Sequence, residues 1–261
     1  FGFGLPFAAL FLLALHFLAE FPFPQPNAAF IGWVLLGGLG QIGAQFLLIY
    51  LFSFRNFAVG TAYSRTEPAQ AAIFGLIFLG EWASPGTVAA IAITVIGAMA
   101  ISVAHVHMSW RNLFASLVSR TALIGLASGT LFGIGAVSYR AASLSLGGPN
   151  FMMQAAMTLF VAILFQTMIM IGWMLWKDRN EFALIARAWK PSLFVGFVGA
   201  TASFGWFVAM TLQQAAVVKA LAQIEMIFTF ASSIYVFRER INPTEVAGCL
   251  LIITGILALV L

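Results

Sequence analysis

The sequence predicts an all-α integral membrane fold assembled from two inverted copies of a five-helix unit. Three observations predict it. Of the 261 residues, 62% are hydrophobic and only 8% are charged, whereas soluble chains carry roughly 25% charged residues. Apolar runs follow one another with short polar breaks, and about 20 such residues cross the hydrocarbon core as a helix. The chain also matches itself at one constant offset. A β-barrel would need alternating strands of about ten residues, and the runs here are long and continuous. With lipid as the solvent, the backbone must satisfy its own polar groups inside helices.

Nine spans are expected, near 2–19, 30–52, 57–79, 86–104, 121–142, 151–176, 191–212, 215–237 and 243–261. Between the first two, Phe21-Pro22-Phe23-Pro24-Gln25-Pro26-Asn27 cannot continue a helix, because each proline lacks an amide donor. Ser84-Pro85 and Asn242-Pro243 each place a capping side chain before a proline at the first helical position. The 177–190 stretch carries Lys177, Asp178, Arg179, Glu181, Arg187 and Lys190. It is the longest polar connection and has room for a short surface helix.

Shifted by 158 residues, Glu67 falls on Glu225, Glu81 on Glu239, Pro85 on Pro243 and Gly97 on Gly255. A deep glutamate, a helix-end glutamate, a proline and a glycine in one frame indicate an internal duplication. The offset puts the partner of span 121–142 ahead of Phe1. A parent protein with ten spans, five per unit, is therefore expected, and an odd number of spans inverts the second unit. Secondary transporters recurrently use inverted repeats, with the substrate site near the midplane.

Val59-Gly60-Thr61-Ala62-Tyr63 through Leu79-Gly80-Glu81 to Gly97 resembles the end of an EamA unit. The stretch from Ala216 through Phe237-Arg238-Glu239 to Gly255 resembles it again. EamA proteins form a family of the drug/metabolite transporter superfamily. The resemblance covers nearly the whole chain. It implies ten helices around a largely apolar central cavity and transport of small metabolites, often outward. The division it implies is a first repeat over 1–104 that lacks its first helix, a connecting loop over 105–120 and a second repeat over 121–261.

Charges at membrane depth are costly, so each one present is a candidate for function. Glu67 and Glu225 lie deep in their spans, and Arg65 and Lys219 are also well inside. Arg65 and Glu67 are two residues apart and point to different sides of a helix. Pairing between helices, Glu67 with Lys219 or Arg65 with Glu225, is geometrically open. These four groups read either as a substrate or proton site or as ion pairs that fix packing. An unpaired glutamate at that depth would suit proton coupling. Pro68 should kink its helix and free the Ser64 carbonyl; the second repeat has Met226 there. Gln45 and Gln223 are candidates for cavity lining, with Gln41 on the face of Gln45. Trp33, Trp206 and Tyr63 are candidate aromatic walls.

Other features read as structural. Gly38-Leu39-Gly40-Gln41-Ile42-Gly43 spells a dinucleotide fingerprint, but no strand precedes it and it lies within an apolar span. Close helix packing accounts for it better. Gly125, Gly129 and Gly133 form a stripe for tight contact, between the repeats or between two subunits. Glu81 and Glu239 mark helix ends. His16 is isolated, and His105 and His107 lack metal-ligand spacing. Cys249 is the single cysteine, so neither a disulfide nor a cysteine-based metal site forms within one chain. No catalytic set and no P-loop occur, so no enzyme activity, metal or cofactor is expected. The net charge of +4 resides mostly in loops and argues for topology rather than a nucleic-acid partner. Counting those charges puts the 105–120 and 177–190 loops in the cytoplasm, with Arg140 the single base on the opposite side. The C-terminus then lies outside, whereas the family resemblance implies both ends inside.

The function expected is a secondary transporter, a permease or exporter of small organic metabolites such as amino acids, with proton coupling open. A non-transporting membrane interaction or assembly protein is the alternative. The expected partners are the bilayer and a small-molecule substrate, with a homodimer open and a bacterial inner membrane as the location.

Overall fold

The computed structural model describes residues 1–55, 57–104, 116–148, 150–236 and 242–260. Glu239, His105 and His107 lie outside them, as do Arg111, Arg238 and Arg240. A 3-10 turn at Gly2–Gly4 leads into α1 (Leu5–Phe17), followed by α2 (Ala28–Leu51), α3 (Phe57–Ser64), α4 (Glu67–Leu79) and α5 (Pro85–Val103). A short turn at Ser116–Val118 precedes α6 (Arg120–Ser145), α7 (Phe151–Lys177), α8 (Glu181–Arg187) and α9 (Trp189–Leu212). The chain ends with α10 (Ala215–Leu221), a 3-10 turn at Ala222–Ile224, α11 (Glu225–Tyr235) and α12 (Pro243–Val260). Among the described residues there is no strand. Seven helices there are long and apolar enough to cross a membrane: α2, α5, α6, α7, α9, α10 with α11 taken together, and α12.

Three expected spans differ, the eighth being interrupted by the 3-10 turn at Ala222–Ile224. The first is the shorter Gly2–Phe17 stretch. The third is not one helix but two, α3 and α4, because Pro68 cannot donate to the Ser64 carbonyl and the helix stops at that residue. The caps follow the sequence. Ser84 Oγ accepts from the Thr87 amide at 3.1 Å, and Asn242 Oδ1 accepts from the Thr244 amide at 2.9 Å. The proline-rich stretch ends on Asn27, whose Oδ1 accepts from the Phe30 amide at 2.7 Å at the start of α2. The short surface helix expected between 177 and 190 is α8.

Two compact units are present, and each draws on both halves of the sequence: residues 1–39 with 138–213, and 40–137 with 214–261. In the first unit, Leu12 of α1 packs on Met153 and Ala156 of α7, with Phe204 of α9 against them. Arg140 of α6 lies in this unit and has a structural task. Its Nη1 donates to the carbonyls of Met210 at 2.7 Å, Thr211 at 3.2 Å and Gln213 at 2.8 Å. Those oxygens belong to the C-terminal end of α9, where helix carbonyls lose their partners and a cation is favoured. A base held this way explains why Arg140 stands apart from the loop charges. Arg140→Met should cost about 2 kcal/mol, measured as a lowered thermal midpoint in detergent with helicity otherwise retained.

In the second unit, α5 and α12 run antiparallel and touch through equivalent glycines. A Cβ on Gly97 would lie 2.7 Å from the Gly248 carbonyl oxygen and 3.0 Å from the Ile252 amide nitrogen. A Cβ on Gly255 would lie 2.9 Å from the Ala90 carbonyl oxygen and 3.0 Å from the Thr94 amide nitrogen. The pairs 97 and 255, 90 and 248, and 94 and 252 are each separated by the repeat offset of 158. The contact is therefore reciprocal, each copy presenting the other with the same surface.

Candidate functional site

The deep charges come together in the second unit, where two interrupted helices carry them. In the first repeat, α3 ends at Ser64 and α4 begins at Glu67. In the second, α10 ends at Leu221, the 3-10 turn follows, and α11 begins at Glu225. The breaks coincide at the repeat offset, and each glutamate opens the helix after its break. This corrects the expectation that they lie within unbroken spans over 57–79 and 215–237. The two breaks differ in kind because Pro68 stops the first helix outright. Met226 retains its amide, and the second break is only a tightening of the helix.

An acid at the first helical position is favoured by the unpaired amides and the dipole there. Each glutamate also meets a base from the other interrupted helix. Arg65, in the turn between α3 and α4, pairs with Glu225. Lys219 of α10 reaches Glu67, with Nζ 2.7 Å from Oε1. That Oε1 has no aligned hydrogen bond, so the contact is a close ion pair rather than a directional bond. Lys219 also lies 6.0 Å from the centre of the Phe132 ring. The two interhelical pairings left open by the sequence are thus both made. Neither glutamate is the unpaired acid that proton coupling would most simply use.

The pairs differ in exposure. The side chains of Lys219 and Glu67 are 20% and 17% exposed, and those of Arg65 and Glu225 are 32% and 57% exposed. The first pair is largely withdrawn from solvent and contributes to holding the helices. The second is the more exposed of the two.

The glycine stripe of α6 supports the first break from behind. A Cβ on Gly125 would lie 2.0 Å from the Gly60 carbonyl oxygen. One on Gly129 would lie 3.0 Å from the Ser64 oxygen, and one on Gly133 would lie 3.2 Å from the Ala71 amide nitrogen. The stripe is used within the chain. Next to Gly129, Gln70 of α4 accepts from the Thr130 hydroxyl through Oε1 and donates to Thr66 Oγ1 through Nε2. Sequence reasoning missed Gln70. Its spacing from Thr66, one turn on, was the available signal.

The remaining candidates are distributed as follows. Pro68 is buried in the first turn of α4, where a proline needs no amide, and so it starts a helix rather than kinking one. Gln223 is buried in the 3-10 turn, and its Oε1 has no partner among the described residues. Gln45 is exposed on α2. Tyr63 is buried against Val59, Val103 and Ala122, which makes it packing rather than a cavity wall. Gly40 and Gly43 pack on Leu131 and Gly38 on Phe165, as expected for a packing motif. An apolar cavity of about 420 Å³ lies between α4 and α5, lined by residues including Ala72, Leu76, Trp82 and Val88, with Glu81 among them. Its lining includes neither Glu67 nor Glu225. The Glu81 carboxylate folds back toward Gly75, and the α5 amide is taken by Ser84 instead.

Comparison with known proteins gives a family and a fold. The family model described as "EamA-like transporter family" matches residues 1–103 and 119–261. A structure described only as "Crystal structure of protein" superposes with a TM-score of 0.68, covering 99% of this chain and 86% of its own, at 15% identity. At that identity the likeness concerns the fold. No curated protein matches the chain.

Proposed function

The chain belongs to the EamA-like transporter family, an integral membrane family of the drug/metabolite transporter superfamily, and from that premise we propose that it is a secondary transporter, a permease or exporter of small organic metabolites such as amino acids, acting in a bacterial inner membrane. In this reading the chain comprises two inverted repeats, 1–104 and 121–261, joined by a loop. The reciprocal antiparallel contact of α5 with α12 supports the inversion. Nine membrane crossings are counted if Gly2–Phe17 and the α3–α4 pair each complete one.

One observation carries the reading: two interrupted helices exchange ion pairs at their breaks, and one of those pairs is accessible. Discontinuous helices with polar groups at the break are how transporters build substrate sites. A substrate bearing both an amine and a carboxylate matches the Arg65–Glu225 pair charge for charge. Its carboxylate takes Arg65, its ammonium takes Glu225, and the buried Gln223 Oε1 supplies a further acceptor. Lys219–Glu67 then acts as the fixed partner that keeps the two helices together. Proton coupling enters the proposal through Glu225, where a substrate with a carboxylate but no amine displaces it from Arg65 and leaves it unpaired.

The test is counterflow of mixed amino acids into proteoliposomes containing the full-length protein. Glu225→Gln and Arg65→Gln should each reduce flux at least about tenfold, since each removes a charge-assisted contact. Stability should fall by less than about 1 kcal/mol, because the pair is exposed. Wild-type protein without flux for any substrate would support the alternative, a membrane interaction or assembly protein. Unchanged pH dependence in both Glu67→Gln and Glu225→Gln would remove protons from the proposal.

A further inference from the structure

The connection between α7 and α9 is the part of the molecule that the transport reading leaves without a task. It starts at Lys177, where α7 ends, and runs to Trp189, where α9 begins. Both flanking helices are long and apolar enough to cross the membrane, so the connection lies at a membrane surface. It forms a helix of its own, α8, with the sequence Glu-Phe-Ala-Leu-Ile-Ala-Arg. That helix has no buried residue. Leu184 and Ile185 are exposed although both are strongly apolar. An apolar helix that fully buries none of its residues, placed where two spans leave the bilayer, has the composition of an interfacial segment.

The charges around it are predominantly basic, four bases against two acids. Lys177, Arg179, Arg187 and Lys190 face Asp178 and Glu181. Both acids are engaged locally. Asp178 Oδ1 accepts from the Asn180 amide at 2.9 Å, and Glu181 sits in the first turn of α8, where an acid complements the helix dipole. Among the described residues none of the four bases is held in an ion pair. Arg179 is oriented by a bond from Nε to the Leu175 carbonyl at 3.2 Å, which leaves its two terminal nitrogens for another acceptor. Trp176 and Trp189 are exposed on either side, as tryptophans are at headgroup depth. The Lys190 ammonium lies 5.7 Å from the Trp189 ring centre.

We propose that residues 177–190 form a binding site for anionic phospholipid, in which α8 lies flat at the headgroup boundary and the four bases hold the lipid phosphates. Leu184 and Ile185 enter the upper acyl region, and the basic side chains reach outward to the headgroups. The occupant is a bilayer lipid rather than a soluble anion because the apolar residues of the same helix need hydrocarbon. The site shares no residue with the ion pairs of the interrupted helices and does not depend on the transport reading.

The test uses full-length protein stripped of lipid in detergent and titrated with phosphatidylglycerol or phosphatidylcholine, bound lipid being counted by native mass spectrometry. Wild-type protein is expected to prefer phosphatidylglycerol at least about tenfold, with the preference lost at high salt. Arg179→Gln with Arg187→Gln should abolish most of the preference, and Lys177→Gln with Lys190→Gln provides an independent pair. Arg120→Gln, in a base that contacts Tyr50, should leave it intact. Equal binding of the two lipids by wild-type protein overturns the proposal, as does full preference retained in both paired variants. Inorganic phosphate competing as well as the lipid would also overturn it, since the apolar half of the site would then contribute nothing.

Discussion

Gly125→Leu is expected to yield no folded protein, and Gly125→Ala to be nearly as damaging. Even the single added carbon of alanine would lie 2.0 Å from the Gly60 carbonyl oxygen and 2.7 Å from its carbon. Those neighbours are backbone atoms, so no side-chain rotation relieves the clash. Either α6 or α3 must move. The movement would carry the break at Ser64 with it, because Gly129 meets Ser64 at the end of α3 and Gly133 meets Ala71 and Glu67 of α4. Overpacking in cores commonly costs about 1–3 kcal/mol, and a clash with backbone belongs above that range. The measurement is the yield of monodisperse protein on size exclusion and, where any survives, its thermal midpoint. Gly199→Ala is the control, since nothing lies within 4 Å of a Cβ there. Equal recovery of the Gly125 and Gly199 variants would show that α6 and α3 do not approach as described.

Removing one partner of the Lys219–Glu67 pair should destabilise the protein far more than removing both. Their side chains are 20% and 17% exposed, so the loss of either leaves a charge largely withdrawn from water. Breaking a buried pair in this way costs about 3–5 kcal/mol, whereas replacing both partners by apolar groups is often neutral. Lys219→Met and Glu67→Leu should each lower the thermal midpoint sharply, and the double variant should recover most of the loss. The coupling in this cycle is the quantity to measure. Additive single effects would mean the two groups do not sense each other. Carried out on the exposed Arg65–Glu225 pair, the same cycle should give a coupling below about 1 kcal/mol. The contrast between the cycles separates the pair that holds helices from the pair assigned to substrate.

Much of this arrangement was legible in the sequence because it rests on rare residues. Charges seldom occur in apolar spans, so Arg65, Glu67, Lys219 and Glu225 identified themselves, and opposite signs at similar depth left few ways to pair. The glycines at 97 and 255 were legible as a mark of duplication, whereas the contact they make is seen only in the structure. Other features were hidden because they depend on which helix lies beside which. Nothing local to Arg140 indicates that its guanidinium caps a helix some 70 residues later in the chain. The exposure of Gln45 follows from the neighbours of α2 rather than from its spacing to Gln41. Pro68 was correctly seen as a disruption but assigned the wrong kind. A proline within an apolar run reads equally as a kink or as the start of a new helix, and the choice depends on whether the preceding residues stop.

The reciprocal contact of α5 with α12 has a consequence for how such a chain can change. A surface that meets its own equivalent is isologous, the kind of contact two identical molecules make when they associate about a two-fold axis. Were the two stretches identical, any substitution at Gly97 would act twice, once at each end of the contact. Joined in one chain, the copies are free to diverge separately wherever the contact does not constrain them. The glycines have stayed matched, whereas the offset aligns Arg65 with Gln223 and Lys219 with Thr61. The glycine contact has kept its symmetry, and the groups at the helix breaks have given it up, leaving the two breaks chemically distinct.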